Sequence, residues 1–350
     1  MSTGVRLAAV ACVTPPYSVA QHEAKAVAEQ WFRGHPAGFD RVARVFHHPA
    51  LRRRQLARPL AWYTRHHSFV DKNAAYCEVA LDLMAQAGGE ALARAQVAPN
   101  EVASLVVATS TGVSTPSLDA TLLQRLDLPR SIARVPLWGL GCAGGAAALA
   151  RAMLLVRGTG RPALVVAAEF CSLTFVAEDK SPANMVATAI FGDGVAAAVL
   201  VPSARAPGIE LLGSLARVFD DSQDMMGWDV VPEGFKVRFA PSIPRFVRRE
   251  TAGFFSATCR AVGVEPNDVV HYALHPGGPK VLEAYTDAMA LREEQIADAW
   301  AVLADHGNMS GPTVLFVLDK LLRRPPPPGQ VGLLAALGPG FAAEATVFRT

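Results

Sequence analysis

The sequence predicts an α/β fold built from two similar halves. Short unbroken apolar runs alternate with longer stretches of helical periodicity, which is the rhythm of strands covered by helices on both faces. Segment 97–102 recurs in form at 264–269, each a proline turn with a polar cap that leads into a predicted strand. Segments 194–199 and 340–347 each place a glycine before a late strand. We therefore expect a duplicated chain. The two expected halves are residues 1–205 and 206–350.

Individual elements follow from the same patterns. A helix is predicted near Ser117 to Leu126, after the first buried strand. Four consecutive prolines at 325–328 cannot belong to a helix or a central strand, so they are expected to link the last helix to a final hairpin. The predicted buried strands are 105–108, 163–168, 195–201 and 269–274.

The bulk composition indicates a compact globular protein of one or two domains. The chain has 350 residues, of which 51% are hydrophobic, so a large core can form. A formal charge of +2 without a like-charge block indicates no nucleic-acid partner. The five cysteines are widely spaced without a CxxC pair, so neither disulfides nor a metal site is predicted. No leader peptide or apolar run of roughly 18 residues is found, and we expect a soluble cytoplasmic protein without a membrane span.

Cys142 is the strongest candidate nucleophile. It lies in a glycine-rich turn between a predicted strand and an alanine-rich helix. At a helix N-terminus, free amide groups and the positive end of the dipole stabilise a thiolate, so we expect a pre-activated cysteine. The flanking glycines leave room for a substrate to approach the backbone. A small buried cysteine in a packing turn is the competing interpretation, and the other four cysteines are assigned to the core.

Two further polar residues lie at the ends of predicted elements. His275 follows the strand at 269–274 and opens a Pro/Gly loop, which is where α/β proteins place catalytic groups, and its imidazole can pair with a thiolate. Asn308 lies in a polar turn between two helical patterns, where its amide can donate to an oxyanion without adding charge. Alone, Asn308 is better explained as a turn or cap residue. The three residues together, ordered across both halves, favour catalysis.

At these segments the chain resembles the type III polyketide synthases, the chalcone-synthase-like enzymes, over nearly its whole length. The resemblance implies a thiolase fold, in which two βαβαβαββ halves form a layered αβαβα core. A ketosynthase III would share the Cys, His and Asn roles, but it would be expected to have a different histidine loop and no terminal Gly-Pro-Gly. The motifs are Gly-Cys-Ala-Gly-Gly at 141–145, Phe-Gly-Asp-Gly at 191–194, His-Pro-Gly-Gly-Pro at 275–279, Gly-Asn-Met-Ser at 307–310 and Gly-Pro-Gly at 338–340.

The resemblance also implies roles for individual residues. Cys142 is acylated, His275 and Asn308 bind the thioester carbonyl, and Phe191 gates the mouth of the cavity. The other positions that match the family's cavity are Ser110, Thr174, Gly227, Val237, Ser310, Gly338, Pro339 and Gly340. Val237 stands where plant enzymes usually carry a second gating phenylalanine, with Phe235 or Phe239 as the substitute if the alignment shifts. The first glycine of the terminal motif is replaced by Ala336.

The expected substrates are an acyl-CoA starter and malonyl-CoA, with no other cofactor and no metal. CoA phosphates need cations at the cavity entrance, and a solvated charged face is the alternative role for each arginine near it. The matching basic tract, on a predicted helix, is Arg52, Arg53, Arg54 and Arg58. Family members are homodimers, and we expect the same here.

Substrate and product follow from weaker features of the resemblance. A small residue at Val237 suits an aliphatic starter, and segment 224–229 looks like the bacterial members that make alkylpyrones or alkylresorcinols from fatty acyl-CoA. Glu169 with Ser110 and Ser310 is expected to form a polar network that biases ring closure. Three alternatives stay open, namely a ketosynthase III that uses an acyl carrier protein, a cysteine hydrolase acting through Cys142 with His275, and a catalytically silent scaffold.

Overall fold

The computed structural model describes residues 4–33, 39, 43–205 and 207–350. The strands are β1 Val5–Val13, β2 Tyr17–Ala20, β3 Arg53–Leu56, β4 Ser104–Ala108, β5 Ala133–Leu137, β6 Ala163–Phe170, β7 Asp193–Pro202, β8 Ile209–Val218, β9 Met226–Val231, β10 Gly234–Phe239, β11 Val269–Leu274, β12 Val331–Gly338 and β13 Ala342–Arg349. The helices are α1 Gln21–Phe32, α2 Phe69–Ala95, α3 Leu118–Arg125, α4 Gly144–Thr159, α5 Pro182–Ile190, α6 Ile243–Ala261, α7 Pro279–Met289, α8 Glu293–His306 and α9 Thr313–Leu322.

A mixed nine-stranded sheet runs through both halves in the order β11-β12-β13-β8-β1-β7-β6-β4-β5. In the first half β4 is parallel to β5 and β6, while β7 is antiparallel to β6 and β1. In the second half β11 is parallel to β12, and β13 is antiparallel to β12 and β8. The halves join where β1 pairs antiparallel with the start of β8. The four predicted strands, the helix after Ser117 and the proline loop before the final hairpin are confirmed. The predicted burial holds for the first three strands, whereas β11 is an edge strand in which Val270 is 38% exposed.

Equivalent positions in the two halves support the predicted duplication. The two echoed proline segments form the short 3-10 turns Pro99–Glu101 and Pro266–Asp268, which lead into β4 and β11. The first glycine segment lies in β7, and the second leads into β13. In its own half β7 pairs antiparallel with β6, and β13 pairs antiparallel with β12. The second half departs in two details. Helices α7 and α8 follow β11 without an intervening strand like β5, and β12 leads directly into β13, whereas α5 separates β6 from β7. The expected boundary stays a prediction, because residue 206 lies outside the described residues.

Two central helices carry the layered core. Residues 144–150 of α4 are all buried, and the helix contacts β4 and β6 of the first half and β13 of the second. Helix α9 is also buried and packs on α4, β1 and β11. Each fully buried Leu or Val of α9 contributes about 1.5–3 kcal/mol through removal of apolar surface from water. Nowhere in the described ranges is a helix both long enough and apolar enough to cross a membrane.

The two halves pack so closely at Gly145 in α4 that a larger residue there should destabilise the protein. A Cβ at this position would lie 2.2 Å from the carbonyl oxygen of Gly311 in the second half. Gly145→Ala should therefore lower the unfolding temperature, at a cost of about 1–3 kcal/mol typical of overpacking.

Gly158 provides the matched control, because it lies in the same helix and a Cβ there meets nothing within 4 Å. Gly158→Ala should raise the free energy of unfolding by about 1 kcal/mol through helix propensity. Calorimetry on both variants measures the difference. Equal unfolding temperatures for the two variants would contradict the close packing of the two halves at Gly145.

Candidate active site

Cys142 lies at the junction between a tight turn and the buried helix α4. The chain leaves β5, turns at Gly139 with a φ of 84°, and forms the 3-10 turn Gly141–Ala143 before α4 begins. Only glycine adopts these left-handed angles without strain. The predicted strand, turn and helix are confirmed, and the Cys142 side chain is 6% exposed.

Glycines allow the second half to pack directly against this turn. A Cβ on Gly141 would lie 2.9 Å from Cδ of Pro339, and one on Gly338 would lie 2.5 Å from the carbonyl oxygen of Leu140. The Gly-Pro-Gly turn between β12 and β13 is therefore a backbone support for the nucleophile turn. Gly340, with a φ of 107°, lets the chain reverse into β13.

Asn308 is fixed on several sides in the loop between α8 and α9. Its backbone N–H donates to Ile190 at 2.7 Å, and its backbone forms a bridge with Phe191. Its Nδ2 donates to the Gly277 carbonyl at 3.1 Å, and its Oδ1 accepts the Ser310 N–H at 2.8 Å. The side chain therefore connects the histidine loop to the loop that precedes α9.

Burial raises the pKa of the Cys142 thiol to about 11, while the polar side chains of Ser310 and Asn308 near the sulfur act in the opposite direction. Burial thus acts against the thiolate stabilisation that is expected from the helix N-terminus. Ser310 has a φ of 57°, a left-handed angle that costs energy for a residue other than glycine and that often marks functional loops.

His275 follows β11 directly, as predicted, and is 2% exposed. Its backbone N–H donates to Ala335 of β12 at 2.9 Å, which fixes the start of the loop. Burial lowers the pKa of the imidazole to about 3, so the ring is neutral. Neither ring nitrogen has a hydrogen-bond partner among the described residues. A neutral imidazole with both nitrogens free can accept one proton and donate another.

Three of the predicted cavity residues line one apolar cavity. Thr174, Phe191 and Val237 border a cavity of about 70 Å³ that is partly open to solvent. Phe191 packs edge-to-face against Trp228 and Phe239, with ring centroids 6.1 and 5.7 Å away. The structure thus places Val237 on the cavity wall and Phe239 beside the expected gate. Gly227 lies on β9 in the same hairpin, where a Cβ would meet open space.

Glu169 forms a buried polar cluster at the end of β6. Its carboxylate accepts from Ser110 Oγ at 2.7 Å, from the Ser110 N–H at 2.9 Å and from Thr111 Oγ1 at 2.8 Å. Burial raises the pKa of Glu169 to about 7, against these hydrogen bonds. The expected pairing of Glu169 with Ser110 is present, whereas the Ser310 N–H donates to Asn308 and not to Glu169.

The basic tract differs from its prediction. Arg53 and Arg54 lie on strand β3, paired with β2, and not on a helix. Arg54 is 3% exposed and donates to carbonyl oxygens in and after the last turn of α5, so it has no face for a CoA phosphate. The backbone pairing and burial of β3 are tertiary effects that a charge pattern does not reveal. Arg52 and Arg53 are exposed and pair with Asp305 at 2.9 and 3.4 Å.

Sequence reasoning missed part of the cavity wall. Cys171, which was assigned to the core, lies two residues after Glu169 and borders the cavity. Its position at the carboxyl end of a buried strand was the available signal. Trp31 and Val27 of α1 also line the cavity, and no local pattern marks them because the first helix reaches the site only through tertiary packing.

Comparisons with known proteins identify relatives over the whole length. Two family models, described as the N-terminal and C-terminal domains of chalcone and stilbene synthases, match residues 58–204 and 210–350. The 1,3,6,8-tetrahydroxynaphthalene synthase of Streptomyces peucetius subsp. caesius is 36% identical over 355 residues, covering 99% of this chain and 93% of the relative. The alpha-pyrone synthesis polyketide synthase-like Pks18 of Mycobacterium tuberculosis (strain ATCC 25618 / H37Rv) is 30% identical over 286 residues, covering 79% and 72% of the two chains.

A solved structure agrees with these matches. The 1,3,6,8-tetrahydroxynaphthalene synthase of Streptomyces coelicolor A3(2) superposes with a TM-score of 0.94 at 26% identity, covering 98% of this chain and 99% of the other. The thiolase fold expected from the motifs is therefore confirmed, and with it the class of acyltransferases that condense malonyl-CoA. The chain belongs to the chalcone and stilbene synthase family, the type III polyketide synthases.

Proposed function

We propose that this type III polyketide synthase extends a medium- or long-chain fatty acyl-CoA with malonyl units and closes the product to an alkylpyrone or alkylresorcinol. The observation that supports this starter is the apolar cavity beside Phe191, with Val237 and α1 in its wall. Burial of an alkyl chain there gains about 0.8 kcal/mol per methylene. An aliphatic chain suits such a wall better than a polar starter does.

The relatives are named for different products, so the product proposed here is inferred from the cavity. Pks18 is named for alpha-pyrone synthesis, whereas other relatives are named for tetrahydroxynaphthalene and phloroglucinol. Products with and without an alkyl chain thus occur within the family. The apolar cavity favours the alkyl class for this chain.

The acylation step uses the neutral pair of Cys142 and His275. As the thiol attacks the acyl-CoA carbonyl, His275 takes its proton, and CoA leaves with that proton as a thiol. The starter is then held as a thioester on Cys142. This route needs no pre-formed thiolate, in agreement with the raised pKa of the buried thiol.

Chain extension uses Asn308 and His275 as hydrogen-bond donors. Malonyl-CoA loses carbon dioxide and leaves an enolate whose negative oxygen accepts from the Asn308 amide and from the N–H of neutral His275. The enolate carbon attacks the Cys142 thioester, the sulfur leaves, and a β-ketoacyl-CoA two carbons longer is formed. Uncharged donors stabilise the enolate without drawing the carboxylate of the substrate into a salt bridge.

The remaining assignments concern binding and assembly. We assign CoA phosphate contacts to Arg52, Arg53 and Arg58, of which the first two stand beside Asp305, three residues before Asn308. Arg58 pairs with Glu78 at 2.5 Å and would have to exchange that partner for a phosphate. CoA thioesters suffice as substrates in this scheme. The five cysteines are free, which fits a reducing cytoplasm.

A homodimer is supported by an exposed apolar surface on the first half. Val113 and Trp138 are 42% and 51% exposed, and the Trp138 indole donates to Gly112 at 3.0 Å, so the two lie close together. The nearby edge strand β5 has no partner on its outer side in the described sheet. Exposed apolar groups beside an open strand edge favour association with a second copy.

The starter assignment predicts the effect of filling the cavity. Val27→Trp should lower kcat/KM for long acyl-CoA starters by about fourfold for each methylene that it displaces. Short starters should be unaffected, because they do not reach α1. Steady-state product formation with acyl-CoAs of graded length measures both values.

Ala26→Trp is the matched control, because Ala26 is exposed on the same helix and does not line the cavity. It should leave all starters unchanged. A parallel loss for long and short starters in Val27→Trp would count against an acyl site in this cavity, and release of free acid in place of a longer product would support the hydrolase alternative.

Glu169 predicts a pH-dependent contribution to stability. Its pKa rises on folding from 4.5 to about 7, so the folded state binds a proton that the unfolded state has lost. The contribution is fully present below pH 4.5, declines as the pH rises and is gone above about 7. Urea unfolding of wild type and Glu169→Gln should show their stability difference falling by roughly 3 kcal/mol over this range. A difference independent of pH would contradict the raised pKa.

The proposed dimer predicts that a charge at Trp138 separates the subunits. Trp138→Glu should shift the molar mass by light scattering from two chains to one. Val218→Glu serves as the control, because Val218 is 65% exposed on β8 in the other half and should leave the mass unchanged. A monomeric wild type would refute the assignment.

A further inference from the structure

Arg54 is a buried cation that the proposed reaction does not use. Its side chain is 3% exposed and borders the apolar cavity. Burial lowers the pKa of its guanidinium to about 10, so it stays charged at neutral pH, and Asp193 acts in the opposite direction. A charge in such a place is costly unless its hydrogen bonds are satisfied. The groups that hydrogen bond with Arg54 therefore indicate the role of its buried charge.

The guanidinium holds the C-terminal end of α5. It donates to the carbonyl oxygens of Thr188 at 2.7 Å, Ala189 at 2.5 Å and Phe191 at 3.3 Å. These include carbonyls of the last turn, which α5 itself leaves without partners and which form the negative end of its dipole. Gln21 of α1 completes the arrangement, since its Oε1 accepts from Arg54 and its Nε2 donates to Ala189 at 3.1 Å.

The same segment fixes Asn308. The carbonyl of Ile190 accepts the Asn308 N–H at 2.7 Å, and the Gly192 N–H donates to the Asn308 carbonyl at 3.1 Å. Ile190 and Gly192 thus flank Phe191 and hold Asn308 on both sides of its backbone. The Arg54 contacts lie directly on this segment, at Ala189 and Phe191.

We propose that Arg54 is a positioning residue for Asn308. Its planar guanidinium hydrogen bonds both to the last turn of α5 and to Phe191. These bonds fix the segment that pairs with the Asn308 backbone, and they thereby orient the Asn308 amide toward the enolate oxygen. The inference rests on the role proposed above for Asn308. Misplacement of a reacting group by about 1 Å can cost about 10²-fold in rate.

Malonyl-CoA decarboxylation tests this role, because it needs the enolate site and does not depend on the length of the starter. Arg54→Met should lower kcat by about 10²-fold with KM unchanged. Arg54→Lys keeps the charge without the planar guanidinium and should recover part of the loss. Arg130→Met is the matched control, because the Arg130 guanidinium also donates to backbone carbonyls, of Leu123 in the last turn of α3 and of Leu128 after it, on the outside of the first half. It should retain wild-type kcat.

A double variant separates positioning from general stability. If Arg54 acts through Asn308, Arg54→Met combined with Asn308→Ala should be no slower than Asn308→Ala alone. Wild-type kcat in Arg54→Met, or losses that multiply in the double variant, would overturn the proposal. A wild-type rate in Asn308→Ala would instead show that the proposed oxyanion role is wrong.

Gln21→Leu keeps the proposal testable if Arg54→Met does not fold. It removes one acceptor of Arg54 and one donor to Ala189 while leaving the cation in place. A smaller drop in kcat that again vanishes in the Asn308→Ala background is expected. An unchanged kcat in folded Gln21→Leu together with an unchanged kcat in Arg54→Lys would overturn it.

Discussion

Backbone-to-backbone packing across the two halves is the constraint on which the site depends. Each close contact between the nucleophile turn and the second half has a glycine on at least one side. Gly141 faces Pro339, Gly145 faces Gly311, and Gly338 faces Leu140 and Ala143. Side chains at these positions would hold the halves apart by the width of a methyl group or more. Because of this close approach, Ser310 and Asn308 lie near enough to the Cys142 sulfur to lower the pKa of its thiol.

The buried site is organised around neutral groups. Desolvation raises the pKa of the Cys142 thiol and lowers that of His275, so charge arises there with the substrate and not before it. Uncharged donors that are already oriented stabilise an enolate without a cost of reorganisation at the moment of reaction. The charged groups nearby, Glu169 and Arg54, lie behind this layer, where each is held by several hydrogen bonds.

Much of this arrangement could be predicted from sequence, because it is encoded locally. Glycine-containing turns at the ends of strands or helices marked Cys142, His275 and Asn308, and unbroken apolar runs marked the central strands. The arginine tract was misassigned because it is placed by tertiary contacts. The β2–β3 pairing joins residues 33 to 39 apart in sequence, and the contact of Arg54 with Thr188 of α5 joins residues 134 apart. The contribution of α1 to the cavity wall could not be predicted for a similar reason, because α1 is distant in sequence from most of the other residues that line the cavity. The burial of Cys142, which opposes the expected thiolate, was not predicted, since a helix N-terminus can be recognised in a sequence but the burial of a sulfur cannot.

The central claim is that the starter is carried on Cys142 at the contact between the halves. Intact-protein mass spectrometry after incubation with a long-chain acyl-CoA, on wild type and on Cys142→Ala, tests it most directly. The wild type should gain the mass of one acyl group and the variant none, while the variant retains some decarboxylation of malonyl-CoA through His275 and Asn308. An acyl group attached to the variant, or product formed by it at the wild-type rate, would contradict the assignment.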